Sequence, residues 1–245
     1  MKLLLLGGTA DGRHLAKALH QNNIDIIYSI AGLVRTPQLD CEIVSGGFTQ
    51  FGGLENYIAE KKVTVILDVT HPYAQKMSLG AMAAARAYNI PYWRFHRQPW
   101  LAKAGDNWQP VNNWKEALTS LTTKKSVLLT AGQFKQDVID NLSLNIQQRQ
   151  LLRVAVKPKV VLPASMRWIK AIGPFSYKDE LALMQDNNID VLVSKNSGGD
   201  STVEKLHAAR ELSIPVLMLK RPTLPDADEL FFTREECINF IANAL

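Results

Sequence analysis

The sequence predicts an α/β protein made of two Rossmann-like halves with mainly parallel sheets. Three observations lead there: short runs of Val, Ile and Leu alternate with helical patterns, a glycine-bearing turn follows the first run, and one segment is echoed later at a constant spacing.

The apolar runs lie at residues 2–6, 26–30, 63–68, 92–95, 127–130, 151–156, 191–194 and 216–219. Several lack polar alternation, as strands buried on both faces of a parallel sheet should. The first run enters "GGTADGR". Gly7 and Gly12 fill the first and third places of a dinucleotide turn, Thr9 stands at the second, and Gly8 beside it restores local freedom. The helix from Asp11 would aim free N–H groups and its positive end at a phosphate, with the Thr9 hydroxyl as a further donor and Arg13 nearby. A bare strand-to-helix turn would carry the same residues.

After the second run the text is "YSIAGLVRTP", with Ser29 and Arg35 in place of an acid. An acid would bind a ribose 2′-hydroxyl, whereas Ser and Arg suit a 2′-phosphate, so the expected cofactor is NADPH. An exposed loop cation is the alternative for Arg35. Ligands of open α/β sheets bind outside the carboxyl ends of strands, which singles out the loops 7–13, 45–53, 70–74 and 195–201. In the second, "SGGFTQFGG", Gly46 and Gly47 would let backbone approach a flat ligand. In the third, "DVTHPYA", Thr70, His71 and Tyr73 follow a buried run. The fourth, "SKNSGGDST", offers Lys195, Ser197, Gly198 and Gly199. The Tyr57-x-x-x-Lys61 spacing resembles a dehydrogenase pair, but it falls on a helix early in the chain, where an i, i+4 pair is readily a surface feature.

The echo joins "AAARAYNIPYWRFHRQP" to "HAARELSIPVLMLKRP". Arg86 and Arg210, Pro91 and Pro215, and Arg97 and Arg221 each stand 124 residues apart, and the same spacing sets Leu3 on Val127, Thr70 on Ser194 and His71 on Lys195. Two related halves follow, expected at 1–110 (cofactor domain) and 111–245 (second domain, contributing to the substrate site), with a junction around 100–123.

Composition narrows the partners. The 245 residues carry 28 Lys+Arg against 23 Asp+Glu, a net +5 with no block of like charge, which suits an anionic small molecule better than nucleic acid. Cys41 and Cys237 are far apart and lack companions at zinc spacing, so no metal and a reducing compartment are expected. The opening apolar run is too short for a signal segment and nothing reaches transmembrane length, so a soluble cytoplasmic protein without membrane or obligate protein partner is the expectation.

The series "GGTADGR", "SIAGLVRTP", "GGF...FGGL", "DVTHPYA..MS", "IPYWRFHRQPW", "LLTAGQ", "IGPF" and "KNSGGDSTVEKLHAARELSIPVLMLKRP" resembles the precorrin-6A reductase family of cobalamin biosynthesis, including its cobalt-precorrin-6A branch. The resemblance spans nearly the whole chain in order. It implies NADPH-dependent reduction of one double bond of a tetrapyrrole, giving precorrin-6B. The chain departs from the family pattern at Asp11, where Glu is usual, at the displaced cation Arg35, and in a longer "GGFTQFGG" loop.

Such a substrate carries many carboxylates around a broad apolar ring. Arg94, Arg97, Lys195, Arg221 and His71 stand near predicted strand ends, interleaved with Phe48, Tyr73 and Trp93, the last of which reads rather as core. His71 is the first candidate for proton donor or anchor, with Lys195 and water as alternatives. The cofactor would sit on the first half and the macrocycle between the strand-end loops of both. Two other readings stay open: a non-catalytic NADP-sensing module that binds a protein partner, and an NADP-dependent reductase of another anionic small molecule.

Overall fold

The computed structural model describes residues 1–32 and 37–244. In chain order the elements are β1 (Lys2–Leu6), α1 (Ala10–Gln21), β2 (Asp25–Ile30), β3 (Glu42–Ser45), α2 (Leu54–Lys61), β4 (Val65–Asp68), α3 (Gln75–Ala87), β5 (Tyr92–Phe95), β6 (Trp108–Val111), α4 (Trp114–Leu121), β7 (Ser126–Leu129), α5 (Gln136–Ser143), β8 (Arg149–Val154), β9 (Met166–Lys170), α6 (Tyr177–Asp186), β10 (Val191–Lys195), α7 (Glu204–Glu211), β11 (Val216–Leu219), β12 (Glu229–Phe231) and α8 (Arg234–Asn243). They form two compact units, Met1–Gln98 with Pro222–Leu245, and Pro99–Arg221.

The first unit holds one wholly parallel sheet in the order β12-β5-β4-β1-β2-β3. That is the 3-2-1-4-5-6 order of dinucleotide folds, with its switch point between β1 and β4. β1 explains why its sequence lacks alternation. Leu3 and Leu5 pack with Leu15 and Leu19 of α1 and Ile241 of α8, while Leu4 and Leu6 pack on the other face with Tyr57 and Ile58 of α2 and Ala81 and Ala84 of α3. Each such leucine contributes about 1.5–3 kcal/mol by leaving water. Trp93 belongs to this core, edge-on to Phe240.

The second unit repeats the plan in the order β6-β11-β10-β7-β8-β9, again all parallel. Its core gathers Leu128, Leu192 and Val216 against Met184, Leu206 and Ala209. The expected division at residue 110 is corrected by the sixth strands. β6 pairs with β11, so the second unit begins before it, and β12 pairs with β5, so the end of the chain returns to the first unit. The return is held by polar contacts: Gln75 donates to the Thr223 carbonyl (2.8 Å), Arg94 to the Pro225 carbonyl (2.7 Å), and Asp228 accepts from the Tyr92 amide (2.8 Å) and pairs with Arg86 (2.8 Å).

The 124-residue spacing sets β2 on β8 and β5 on β11 residue for residue. It slips at one place. Leu3 faces Val65 in the first sheet and Val127 faces Val191 in the second, so Asp68 matches Ser194 and Val69 matches Lys195. The expected pairing of Thr70 with Ser194 and His71 with Lys195 is therefore two residues out of register, because the whole crossover from β10 to β11 is two residues shorter than that from β4 to β5: Leu192 faces Val216, whereas Ile66 faces Tyr92.

Candidate active site

The turn after β1 is built as a phosphate turn requires. Gly7 donates to the Ser29 carbonyl (2.8 Å) and packs so closely on Tyr28 that a Cβ there would lie 2.3 Å from the phenol ring. Gly8 has φ +100°, faces open space, and gives its N–H to the Tyr28 hydroxyl (3.2 Å). A Cβ on Gly12 would come within 3.2 Å of the Gly7 Cα, so this glycine lets α1 seat on the strand. Helix α1 leaves the amides of Ala10 and Asp11 as first-turn donors.

Thr9 departs from expectation. Its hydroxyl donates to the Val69 carbonyl (3.0 Å) and accepts from the Gly12 amide (3.0 Å) as the cap of α1, so its one proton is spent inside the protein and its side chain is no phosphate donor. Ser29 is buried within β2, between Leu6 and Val44, which removes it as a surface partner for a 2′-phosphate. Arg35 lies outside the described residues.

The charge around the turn comes partly from distant segments. Asp11 pairs with Arg97 (3.2 Å) and faces Arg234 of α8 (3.8 Å), and Arg234 also meets His14. Arg97, expected at the substrate, thus stands at the glycine turn after β1. Arg13 is exposed on the first turn of the helix. Nothing in the local sequence announces Arg234, which the returning chain brings in.

Three further expected residues are tied into structure. Arg94 is buried, donates to the Pro225 carbonyl and to the Tyr92 hydroxyl (2.6 Å), and lies 3.7 Å from Asp68, so it is a strut of the sheet and not a substrate contact. Thr70 gives both its amide (3.0 Å) and its hydroxyl (2.6 Å) to Asp68. Phe48 and Phe51 turn onto the buried Tyr57 ring, with centroids 5.2 and 4.7 Å apart, so Phe48 is committed to packing. Gly46 donates to the Ile30 carbonyl (3.0 Å) and Gly47 precedes the 3₁₀ turn Phe48–Phe51, which keeps both at the carboxyl ends of β2 and β3. Tyr57 is buried and Lys61 pairs with Glu42 (2.7 Å), so the Tyr-x-x-x-Lys spacing is structural.

Asp68, absent from the sequence reading, is the hub of the β4 end. Besides Thr70 it accepts from Ser78 (2.6 Å) and Tyr92 (2.7 Å), and burial, then the Asp68 charge, pushes the Tyr92 phenol above its usual range. This network fixes the turn that presents His71. His71 is exposed, and its Nδ1 accepts from the Tyr73 amide (3.3 Å) while the two rings lie 5.6 Å apart. A neutral ring held this way carries its proton on Nε2.

In the second unit, Lys195 ends β10 with its Nζ 3.8 Å from where a Cβ of Gly132 would stand, and burial pulls its pKa down. Arg221 donates to the Asn196 carbonyl (2.8 Å), and Asn196 clamps Trp100 through both backbone groups (2.7 and 2.9 Å). Ser197 faces Thr202 (3.5 Å), Gly198 has φ +68°, and the buried Gly199 precedes a short 3₁₀ turn, Asp200–Thr202. Among the described residues no cluster of His, Cys, Asp and Glu is set to hold a metal, and no helix is long and apolar enough to cross a membrane.

Residues 2–242 match the family model described as precorrin-6x reductase CbiJ/CobK. A precorrin-6A reductase of Rhodococcus erythropolis is 38% identical over 233 residues, covering 93% of this chain and 92% of the relative. A cobalt-precorrin-6A reductase of Priestia megaterium is 29% identical, covering 98% of each. The solved structure of CobK precorrin-6A reductase superposes with a TM-score of 0.88 at 33% identity, covering 99% of this chain and 96% of that one. The sheet order, the glycine turn at its switch point and these matches along the whole length have one reading: the chain belongs to the precorrin-6x reductase CbiJ/CobK family.

Proposed function

We propose that the protein reduces one double bond of precorrin-6A to the 6B form with NADPH, in the cytoplasm and without an obligate protein partner. The observation that carries this reading is the family match over residues 2–242, joined to a first unit whose turn fits a dinucleotide. The fit rests on three features: an open cradle over Gly8, the first-turn amides of α1, and the cations Arg13, Arg97 and Arg234 around the turn, the last two facing Asp11. Identity is higher to the Rhodococcus relative named for the metal-free substrate (38%) than to the Priestia relative named for the cobalt form (29%), which favours the metal-free substrate.

In this reading Gly7, Gly8 and the α1 amides hold the pyrophosphate, and Arg35 or Arg13 meets the 2′-phosphate. The cofactor supplies the hydride. The chain's own work is alignment and proton delivery. His71, its Nδ1 engaged by the Tyr73 amide, is the first candidate donor, and Lys195 is the alternative, its ammonium made more acidic by burial. Ser197, Gly198, Gly199 and Arg221 of the second unit contact the macrocycle and its carboxylates. Anaerobic turnover of the purified protein with NADPH and with both metal-free and cobalt-containing precorrin-6A tests the reading. The metal-free compound should be reduced with the higher kcat/KM, and absence of turnover with either would refute it.

A further inference from the structure

A second polar cluster lies at the carboxyl end of the second unit's sheet. Arg153, next to last in β8, is buried. Its Nη1 donates to Glu180 Oε1 (2.5 Å) and its guanidinium carbon lies 4.1 Å from the Phe175 ring centroid. Glu180, in the first turn of α6, is only 1% exposed, and its other oxygen, Oε2, has no hydrogen-bond partner among the described residues. Lys205, in the first turn of α7, is 4% exposed. Its Nζ donates to the Thr202 carbonyl (2.7 Å) and sits 4.9 Å from the Trp100 ring centroid. Thr202 faces Ser197, so the cluster underlies the loop already assigned to the macrocycle.

The charges do not balance. The groups facing Lys205 are Arg153 from β8 and Glu180 from α6, so two buried cations share one carboxylate. A net positive charge out of water is costly unless a counter-ion meets it. Arg153 spends one of its N–H groups on Glu180 and finds no other acceptor among the described residues. A guanidinium stacked on an aromatic ring with spare donors is suited to receive a carboxylate. By the 124-residue spacing Arg153 stands where the buried Ser29 stands in the first unit, whose carbonyl accepts from Gly7 of the glycine turn, so the second unit has an ion pair at the matching strand end.

We propose that Arg153, backed by the charge of Lys205, forms a carboxylate subsite for one acidic side chain of the macrocycle; this rests on the reading that a polycarboxylated tetrapyrrole is the substrate. Arg153 would touch the substrate, whereas Lys205 is a positioning residue that acts through the field and through Thr202. A consequence follows from linkage. Burial, then the Arg153 charge, pushes Lys205 down to about 7. An arriving carboxylate favours the ammonium, so Lys205 takes up a proton on binding, and by reciprocity the substrate binds more tightly where Lys205 is charged. KM should therefore rise as pH climbs above about 7.

The test is kcat and KM for precorrin-6A under saturating NADPH, without oxygen, from pH 6 to 9. The double variant Arg153→Gln/Glu180→Gln keeps an uncharged hydrogen-bonded pair and should raise KM at pH 6.5 by about tenfold to a hundredfold, with kcat within about twofold. Lys205→Met should raise KM at pH 6.5 severalfold and flatten its rise with pH. If the double variant fails to fold, the flattened profile of Lys205→Met decides. Wild-type KM values in both variants, or a loss confined to kcat, would overturn the subsite while leaving the substrate reading intact. A wild-type protein with no turnover would remove both.

Discussion

The Thr9 hydroxyl donates to the Val69 carbonyl across 3.0 Å while accepting from the Gly12 amide. One side chain thereby ties the first turn of α1, which follows β1, to the end of β4. These are the two strands that flank the switch point of the first sheet. The residue that breaks the glycine fingerprint is thus the clasp that holds the turn in place.

Thr9→Val keeps the volume and removes both bonds, leaving a buried carbonyl and an uncapped helix. Unfolding free energy should fall by about 1–3 kcal/mol, seen as a lower urea midpoint at unchanged m. A midpoint equal to wild type would mean that the clasp contributes nothing.

The two adjacent glycines should fail in different ways. Gly7→Ala forces a Cβ to within 2.3 Å of Tyr28 and should destabilise the fold by about 2 kcal/mol or more through overpacking. Gly8→Val meets no atom but needs φ near +100°, so the chain should fold at a cost of about 1–3 kcal/mol and lose NADPH binding in calorimetry. NADPH affinity equal to wild type in Gly8→Val would move the cofactor away from this turn.

His71→Ala should lower kcat by about a hundredfold or more and leave KM within about threefold, as expected for a proton donor used in the transition state. The opposite pattern, a raised KM at constant kcat, would make the imidazole an anchor for a carboxylate.

Lys205 also predicts a pH signature in stability. Below about 7 the amine is charged in both folded and unfolded chains, and its burial penalty is fully present. Between there and the ordinary lysine value of 10.5 only the unfolded chain holds the proton, so stability rises with pH through this window. Urea unfolding of wild type and Lys205→Met at pH 6.5, 8 and 9.5 isolates the effect. Wild type should gain on the variant as pH rises, and a constant difference would reject it.

The inner strands were legible in the sequence. All eight apolar runs fall on β1, β2, β4, β5, β7, β8, β10 and β11, because a strand covered on both faces must be apolar at nearly every position. The four strands without a run, β3, β6, β9 and β12, are the four sheet edges. Their sequences, such as "WQPV" and "ELF", leave most side chains at the surface and carry no continuous apolar signal. Of the site, the glycine turn and the strand-end loops were readable, since backbone geometry there depends on local residue type.

The chain by itself thus determined two repeated parallel cores and the glycine turn that follows the first strand. Tertiary structure decided which unit each sixth strand joins, that Arg94 is a strut and Arg97 faces the glycine turn, and that the Asp68 network and the Arg153–Glu180–Lys205 cluster exist as units. The reason is range: hydrophobic periodicity and turn chemistry act over a few residues. An ion pair such as Asp11 with Arg97 joins positions far apart in sequence, and only the folded backbone sets the distance between them.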